Sequence, residues 1–166
     1  AREDENDPGA VSTGLQGDAI QPLTLRANQG DCVRVHFTNQ IEDEDAGFQV
    51  NGSAMIISSS GLPDSAVSAG AIVTSGESQD FEWMIPIDEQ EGSHLIQSHA
   101  GRDPSALGLI GAFIVEPVGS TYLDPWDAKP LKNGWEAIIA NDEDRDFREF
   151  VLFYHEVGDE SFRPLN

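Results

Sequence analysis

The sequence predicts an all-β fold, either a sandwich or a barrel of short strands. Short runs rich in β-branched and aromatic residues recur from one end of the 166-residue chain to the other. Turn sequences such as Asn28-Gln29-Gly30-Asp31 and Gly76-Glu77-Ser78 separate these runs. No apolar pattern of helical period and useful length is present, and only residues 103–107 suit a single helical turn.

The predicted strands can be placed individually along the chain. In order they are Leu23–Ala27, Cys32–Asn39, Phe48–Asn51, Ala54–Ser58, Ala71–Ser75, Asp80–Ile85, His94–His99, Leu109–Glu116 and Glu149–His155. In the second strand Val33, Val35 and Phe37 alternate with polar residues, so one face of that strand is expected to be buried. The single cysteine, Cys32, is expected to be a small buried thiol, because free cysteine is commonly a core residue.

Composition excludes several classes of protein. The chain carries 30 acidic and 9 basic residues, a formal net charge of −21. Nucleic acid is therefore a poor partner, since phosphate contacts need clustered lysine and arginine. No apolar run reaches the length of a membrane span, and one cysteine allows no internal disulfide. An acidic shell of this kind suits solubility or a saline environment.

Two acidic runs, Glu42–Asp45 and Asp142–Asp146, are predicted to be solvated loops. The second places carboxylates at alternate positions, as a calcium-binding loop does. However, Phe147 stands where such a loop needs glycine, and Phe153 stands where it needs a bidentate glutamate. The pattern therefore does not predict a calcium site.

Three segments resemble the cupredoxin domains of multicopper oxidases, particularly the large multidomain bacterial type with ceruloplasmin-like and manganese-oxidising members. They are Leu23–Val35, Gly61–Trp83 and the glycine-rich closing strand Gly108–Pro117. The resemblance implies a cupredoxin-like Greek-key β-sandwich and copper in the parent protein. It also implies neighbouring cupredoxin domains as partners and an extracellular or periplasmic location.

Family members bind copper through paired His-x-His motifs. Imidazole suits copper, and residues i and i+2 of a strand point to the same side. Here the second motif falls on Gln97-Ser98-His99, so glutamine replaces its first histidine, and no histidine lies near Met55, where the other motif is expected. The remaining candidate metal ligands are His99 and His94. No catalytic residue and no other cofactor-binding residue is predicted.

The electron-accepting copper of the family needs two histidines, a cysteine and a weak axial ligand. Cys32 lies in an early strand, and no methionine follows at the required spacing. His36 is four residues from Cys32 and is expected on the same face of that strand. His155 follows an apolar strand and is predicted to be structural. This chain is therefore not expected to hold a blue-copper centre.

The same resemblance gives a domain plan. Residues 1–20 are predicted to be a linker or the end of a preceding segment, and residues 21–118 the cupredoxin-like domain. Residues 119–146 are predicted to be an inter-domain linker. Residues 147–166 are predicted to be the first strand of a following domain or an added strand.

Three functions are consistent with the sequence. The first is a degenerate, structural cupredoxin domain of a multicopper oxidase, which is inactive as a fragment and holds no tightly bound copper. The second is a copper-binding domain with an active site through His94 and His99. The third is a non-catalytic acidic β-sandwich that serves as a binding module.

Overall fold

A computed structural model of the chain describes residues 22–51, 58–59, 72–98, 100, 109–131, 133–142 and 145–154, with residues 58–59 described as backbone only. Several predicted features lie outside these ranges. They are the segment 1–20, most of the strand Ala54–Ser58, the residue His99, the single turn at 103–107 and the residue His155.

The described residues form strands and turns, with no helix among them. In chain order the strands are β1 (Leu23–Asn28), β2 (Cys32–Thr38), β3 (Ala46–Gly47), β4 (Gln49–Val50), β5 (Ser58–Ser59), β6 (Ile72–Val73), β7 (Ser78–Met84), β8 (Gly92–Gln97), β9 (Ile110–Glu116), β10 (Thr121–Leu123), β11 (Glu136–Ala140) and β12 (Phe147–Phe150). The predicted all-β, cupredoxin-like Greek-key sandwich is confirmed.

Two sheets form the sandwich. The first has the strand order β1-β9-β8-β4, with β1 parallel to β9, and the second has the order β2-β7-β5. A tight turn joins β1 to β2. Gly30 takes a φ of 85° in this turn, and the Asp31 amide donates to the Asn28 carbonyl at 3.0 Å. Glycine suits this position because it adopts positive φ without steric cost.

The core lies between the two sheets. Its buried apolar cluster comprises Ala27, Phe48, Val50, Val73, Phe81, Trp83, Ile85, Ile96, Phe113 and Val115. Trp83 of β7 meets Phe113 of β9 edge to face, with ring centroids 5.4 Å apart, an arrangement that aromatic pairs favour. Val33, Val35 and Phe37 pack against the cluster, as the alternation in the sequence predicts.

A third sheet, β10-β11-β12, covers the outer face of β1 and β9. Phe113 and Val115 face the core, so Ala112 and Ile114 point the other way, and both are nonetheless buried. Their cover is the third sheet, in which Ala137 and Ile139 of β11 are also buried. The backbone amide of Thr24 in β1 also donates to the side chain of Asn133, which precedes β11, at 3.0 Å.

The structure also differs from the prediction at named elements. Strands β3, β10 and β11 were not among the predicted strands. The final strand was predicted at Glu149–His155. The structure places β12 at Phe147–Phe150, and residues 151–154 lie outside any strand. The prediction that Cys32 is buried is wrong: Cys32 is exposed, because it shares the outer face of β2 with Arg34 and His36.

Candidate functional site

Strand β8 positions the histidine that the sequence singles out. His94 lies opposite Phe113 of β9, and residues directly opposite each other in an antiparallel pair point to the same face. Phe113 is fully buried, so His94 points into the sandwich, where only 10% of its side chain is exposed. His94 is thus part of the interior.

Glu89 is the partner of His94 inside the sandwich. It lies in the connection between β7 and β8, and its carbonyl accepts a hydrogen bond from the Gln29 side chain at 2.7 Å. His94 Nε2 lies 3.9 Å from Glu89 Oε1, and only 6% of the Glu89 side chain is exposed. Within the described part of the chain, His94 Nε2 and Glu89 Oε2 have no hydrogen-bond partner. The pair is close enough for one bridging water.

Gln97 lies on the other face of β8. It is three residues from His94, and residues an odd number apart on a strand point to opposite sides. Its neighbours across the sheet are Ile110 and Gln49. The structure therefore separates His94 from the position where the sequence places the copper motif, and His99, the other predicted ligand, lies outside the described residues.

The remaining metal-binding residue types of β2 lie on the exposed surface of the second sheet. His36 Nδ1 is 2.6 Å from Asp80 Oδ1, and Cys32 lies opposite Met84. Cys32 and His36 share a face, as predicted, but four residues of strand separate them by about 13 Å. That span is too long for both to bind one ion.

The donor set can be tested against copper. Across the ranges that the structure describes, no group of three or more His, Cys, Asp or Glu residues is placed to hold a metal ion. His94 faces a carboxylate rather than a second imidazole, and Gln97 is a poor copper ligand. The described residues do not fit a copper site.

A second buried group was missed at the sequence level. Arg26 of β1, Glu116 of β9 and Glu149 of β12, which we call the Arg26 cluster, meet between the first and third sheets. Arg26 Nη2 and Nε contact Glu149 Oε1 at 2.5 and 2.9 Å, and Arg26 Nη1 donates to the Gly134 carbonyl at 2.8 Å. The sequence contains only a weak signal that these three residues are buried together, because charged residues on a strand usually indicate a solvated face.

Burial and a like charge perturb one member of the Arg26 cluster. Glu116 is 4% exposed, and its Oε1 has no hydrogen-bond partner among the described residues. Loss of solvation, together with the charge and hydrogen bond of Glu149, raises the pKa of Glu116 to about 7, whereas Arg26 acts in the opposite direction. Burial is also the main cause that raises the pKa of the neighbouring Tyr122 hydroxyl.

Comparison with known proteins identifies relatives. A family model described as multicopper oxidase matches residues 6–120. L-ascorbate oxidase from Nicotiana tabacum is 32% identical over 117 residues, which cover 70% of this chain and 19% of that protein. The chain thus spans about a fifth of the length of this relative.

No helix in the described part of the chain is long and apolar enough to cross a membrane.

Two solved structures match part of the chain. One, a multicopper oxidase, is 22% identical, covers 55% of this chain and 32% of its own, and superposes with a TM-score of 0.42. The other, Lac15 from a marine microbial metagenome, is 20% identical, covers 72% of this chain and 34% of its own, and has the same TM-score of 0.42.

Proposed function

The chain belongs to the multicopper oxidase family as a cupredoxin domain, and from this premise we propose that it acts as a structural scaffold with most of its copper ligands lost. The observation that carries the proposal is the His94–Glu89 pair. The histidine of β8 that the structure describes lies inside the sandwich, 3.9 Å from a carboxylate. It thus contributes to the fold, and its imidazole does not face Gln97.

Replacement of the first ligand in the copper motif supports the same proposal. Gln97 stands where the family resemblance places a histidine, and an amide is a weak ligand for copper. His99 alone supplies one imidazole, which is too few for a stable site without ligands from another domain. We propose His99 as the remnant of the ancestral site.

The parent protein is proposed to be a copper-dependent oxidoreductase of the large multidomain type, in which neighbouring cupredoxin domains hold the copper. We propose that the contact surface for such a neighbour includes the end of the described chain. Phe150, Leu152 and Tyr154 expose 52, 68 and 90% of their surface, and such apolar exposure is typical of an interface. We propose that 147–166 lead into the following domain, and that the parent is extracellular or periplasmic.

Copper analysis of the purified chain tests the scaffold proposal. After incubation with copper and dialysis, we expect well under one copper per chain, unchanged by the double substitution His94→Ala and His99→Ala. His36→Ala, which alters an exposed histidine, is the matched control. Gln97→His rebuilds a His-x-His motif and is expected to raise the retained copper.

The opposite result would assign a different function. One tightly held copper per chain, lost when His94 and His99 are replaced but retained in the His36→Ala variant, identifies an active copper site and overturns the scaffold proposal.

A further inference from the structure

The Arg26 cluster places two carboxyl groups against one guanidinium in a buried interface. The Arg26 side chain is 3% exposed and that of Glu149 19%. One arginine neutralises one carboxylate, so a second ionised carboxylate leaves an uncompensated buried charge, which is costly. Glu116 is 4% exposed and its Oε1 has no hydrogen-bond partner among the described residues, so its ionised form is disfavoured and its protonated form is favoured.

We propose that the Arg26 cluster is a proton-operated clasp: a proton on the buried Glu116 carboxyl allows β12 to pack against the sandwich through the Arg26–Glu149 ion pair, and its loss toward neutral pH loosens β12. This inference goes beyond the scaffold function and involves neither His94 nor Gln97. It concerns the attachment of the third sheet to the first.

Only a few charged or titratable groups surround Glu116 in the described part of the chain, so the pH effect is expected to be confined to the Arg26 cluster. The charged or titratable groups that act on it are Arg26 from β1, Glu149 from β12, Glu91 from the segment before β8 and, across the interface, Tyr122 from β10. The Tyr122 hydroxyl is hydrogen-bonded to the Asn28 side chain, and Asp31 acts on Tyr122 from the first turn. Arg148, the other cation of β12, lies on the opposite face of the strand and pairs with Glu136.

The direction of the pH effect follows from linkage. The pKa of Glu116 rises from 4.5 to about 7 in the docked state, so docking takes up a proton between these values. The stabilising contribution is complete below pH 4.5 and is lost as the pH rises through 7. We expect docking of β12 to weaken as the pH rises through this window, by at most about tenfold per pH unit.

Hydrogen exchange of the full chain tests the clasp. The reporter is the Arg26 Nε–H group, which donates to Glu149, followed by NMR and corrected for the intrinsic pH dependence of exchange. In the wild type its protection should fall between pH 4.5 and 7, whereas amides of β2 and β7 keep theirs. In Glu116→Gln a neutral amide replaces the titratable carboxyl, so protection should stay high and independent of pH.

A matched substitution separates the clasp from the general effect of charge. Glu77→Gln removes the same charge from an exposed position and should retain the wild-type pH dependence. The proposal is overturned if Glu116→Gln keeps the pH dependence of the wild type, if the wild type shows none, or if β2 and β7 lose protection in parallel. None of these outcomes depends on whether the chain binds copper.

Discussion

His94 and Glu89 form a pair of polar side chains in the interior of the sandwich. Both side chains are at least nine-tenths buried, and each has one polar atom without a partner among the described residues. A buried polar group without a partner costs about 1–3 kcal/mol, and His94 Nε2 lies 3.9 Å from Glu89 Oε1, so the removal of one group is expected to raise the cost of burying the other. The pair is therefore expected to be energetically coupled.

A double-mutant cycle measures that coupling. His94→Leu and Glu89→Leu are each expected to lower the free energy of unfolding by about 1–3 kcal/mol, because each removes the polar group that lies 3.9 Å from the other buried group. The double variant should be more stable than the sum of the two losses predicts, with a coupling energy of about 0.5–3 kcal/mol. Urea unfolding monitored by Trp fluorescence gives these values.

The surface pair His36 and Asp80 provides the control for this cycle. These side chains are 67 and 50% exposed, and exposed ion pairs contribute little to stability. The same substitutions there should show almost no coupling. Strict additivity at His94 and Glu89 would contradict the assignment of the two as a pair.

At Cys32 the periodicity of the strand and the type of residue favour opposite predictions. The alternation of Val33, Val35 and Phe37 correctly predicts the buried face of β2. The same alternation places residue 32 on the other face, so the periodicity of the strand outweighs the general tendency of cysteine to be buried. The inward orientation of His94 could not be predicted in this way. It depends on the register of β8 with β9, which cannot be read from the sequence.

At the scale of elements, the closing strand β9 is the centre of the fold. It pairs with β1 on one side and β8 on the other, and six of its seven residues are buried. Gly111 permits the parallel pairing with β1, since a Cβ there would lie 2.6 Å from the Leu23 carbonyl oxygen. Gly111, in the segment that resembles the family's closing strand, is therefore required for the close packing of β9 against β1.

The third sheet could not be predicted from the same pattern. Its strands β10 and β11 are short and follow turn residues, which in a sequence are also typical of a linker. What identifies the sheet is its cover of Ala112 and Ile114, and this depends on long-range packing. The continuous apolar run of β9 was the available signal, because a strand buried on both faces needs a layer on each side.

Removal of this sheet is expected to destabilise the domain. A chain that ends at Ser120 exposes Ile114 and leaves the buried charge of Arg26 without Glu149. Exposing one buried aliphatic side chain costs about 1.5–3 kcal/mol, so the melting temperature should fall by many degrees. Thermal unfolding and size-exclusion chromatography of the truncated chain check this expectation.

A second truncation distinguishes the sheet from the tail beyond it. A chain that ends at Phe150 keeps β10, β11 and β12 and should melt within a few degrees of the full-length chain. If the chain ending at Ser120 were equally stable and monomeric, residues 121–150 would be an appended segment rather than a layer of the domain.

For the whole molecule, the net charge of −21 is the dominant property. Excess charge of one sign favours solubility but destabilises a compact state through mutual repulsion. Two of the described ion pairs, Arg34–Glu82 and Lys129–Asp127, lie on the surface and offset little of this repulsion. Screening by salt should therefore stabilise the folded chain.

Thermal unfolding at increasing NaCl tests this expectation. The Debye length falls from about 10 Å at 0.1 M to about 3 Å at 1 M, so repulsion between surface carboxylates is largely screened over that range. The melting temperature should rise, by about 2–4 °C for each kcal/mol of repulsion removed. A variant with several exposed carboxylates changed to amides, including Glu77→Gln and Glu42→Gln, should melt higher at low salt and respond less to NaCl. A melting temperature that falls with NaCl would show that surface ion pairs, rather than repulsion, dominate the electrostatic free energy of this domain.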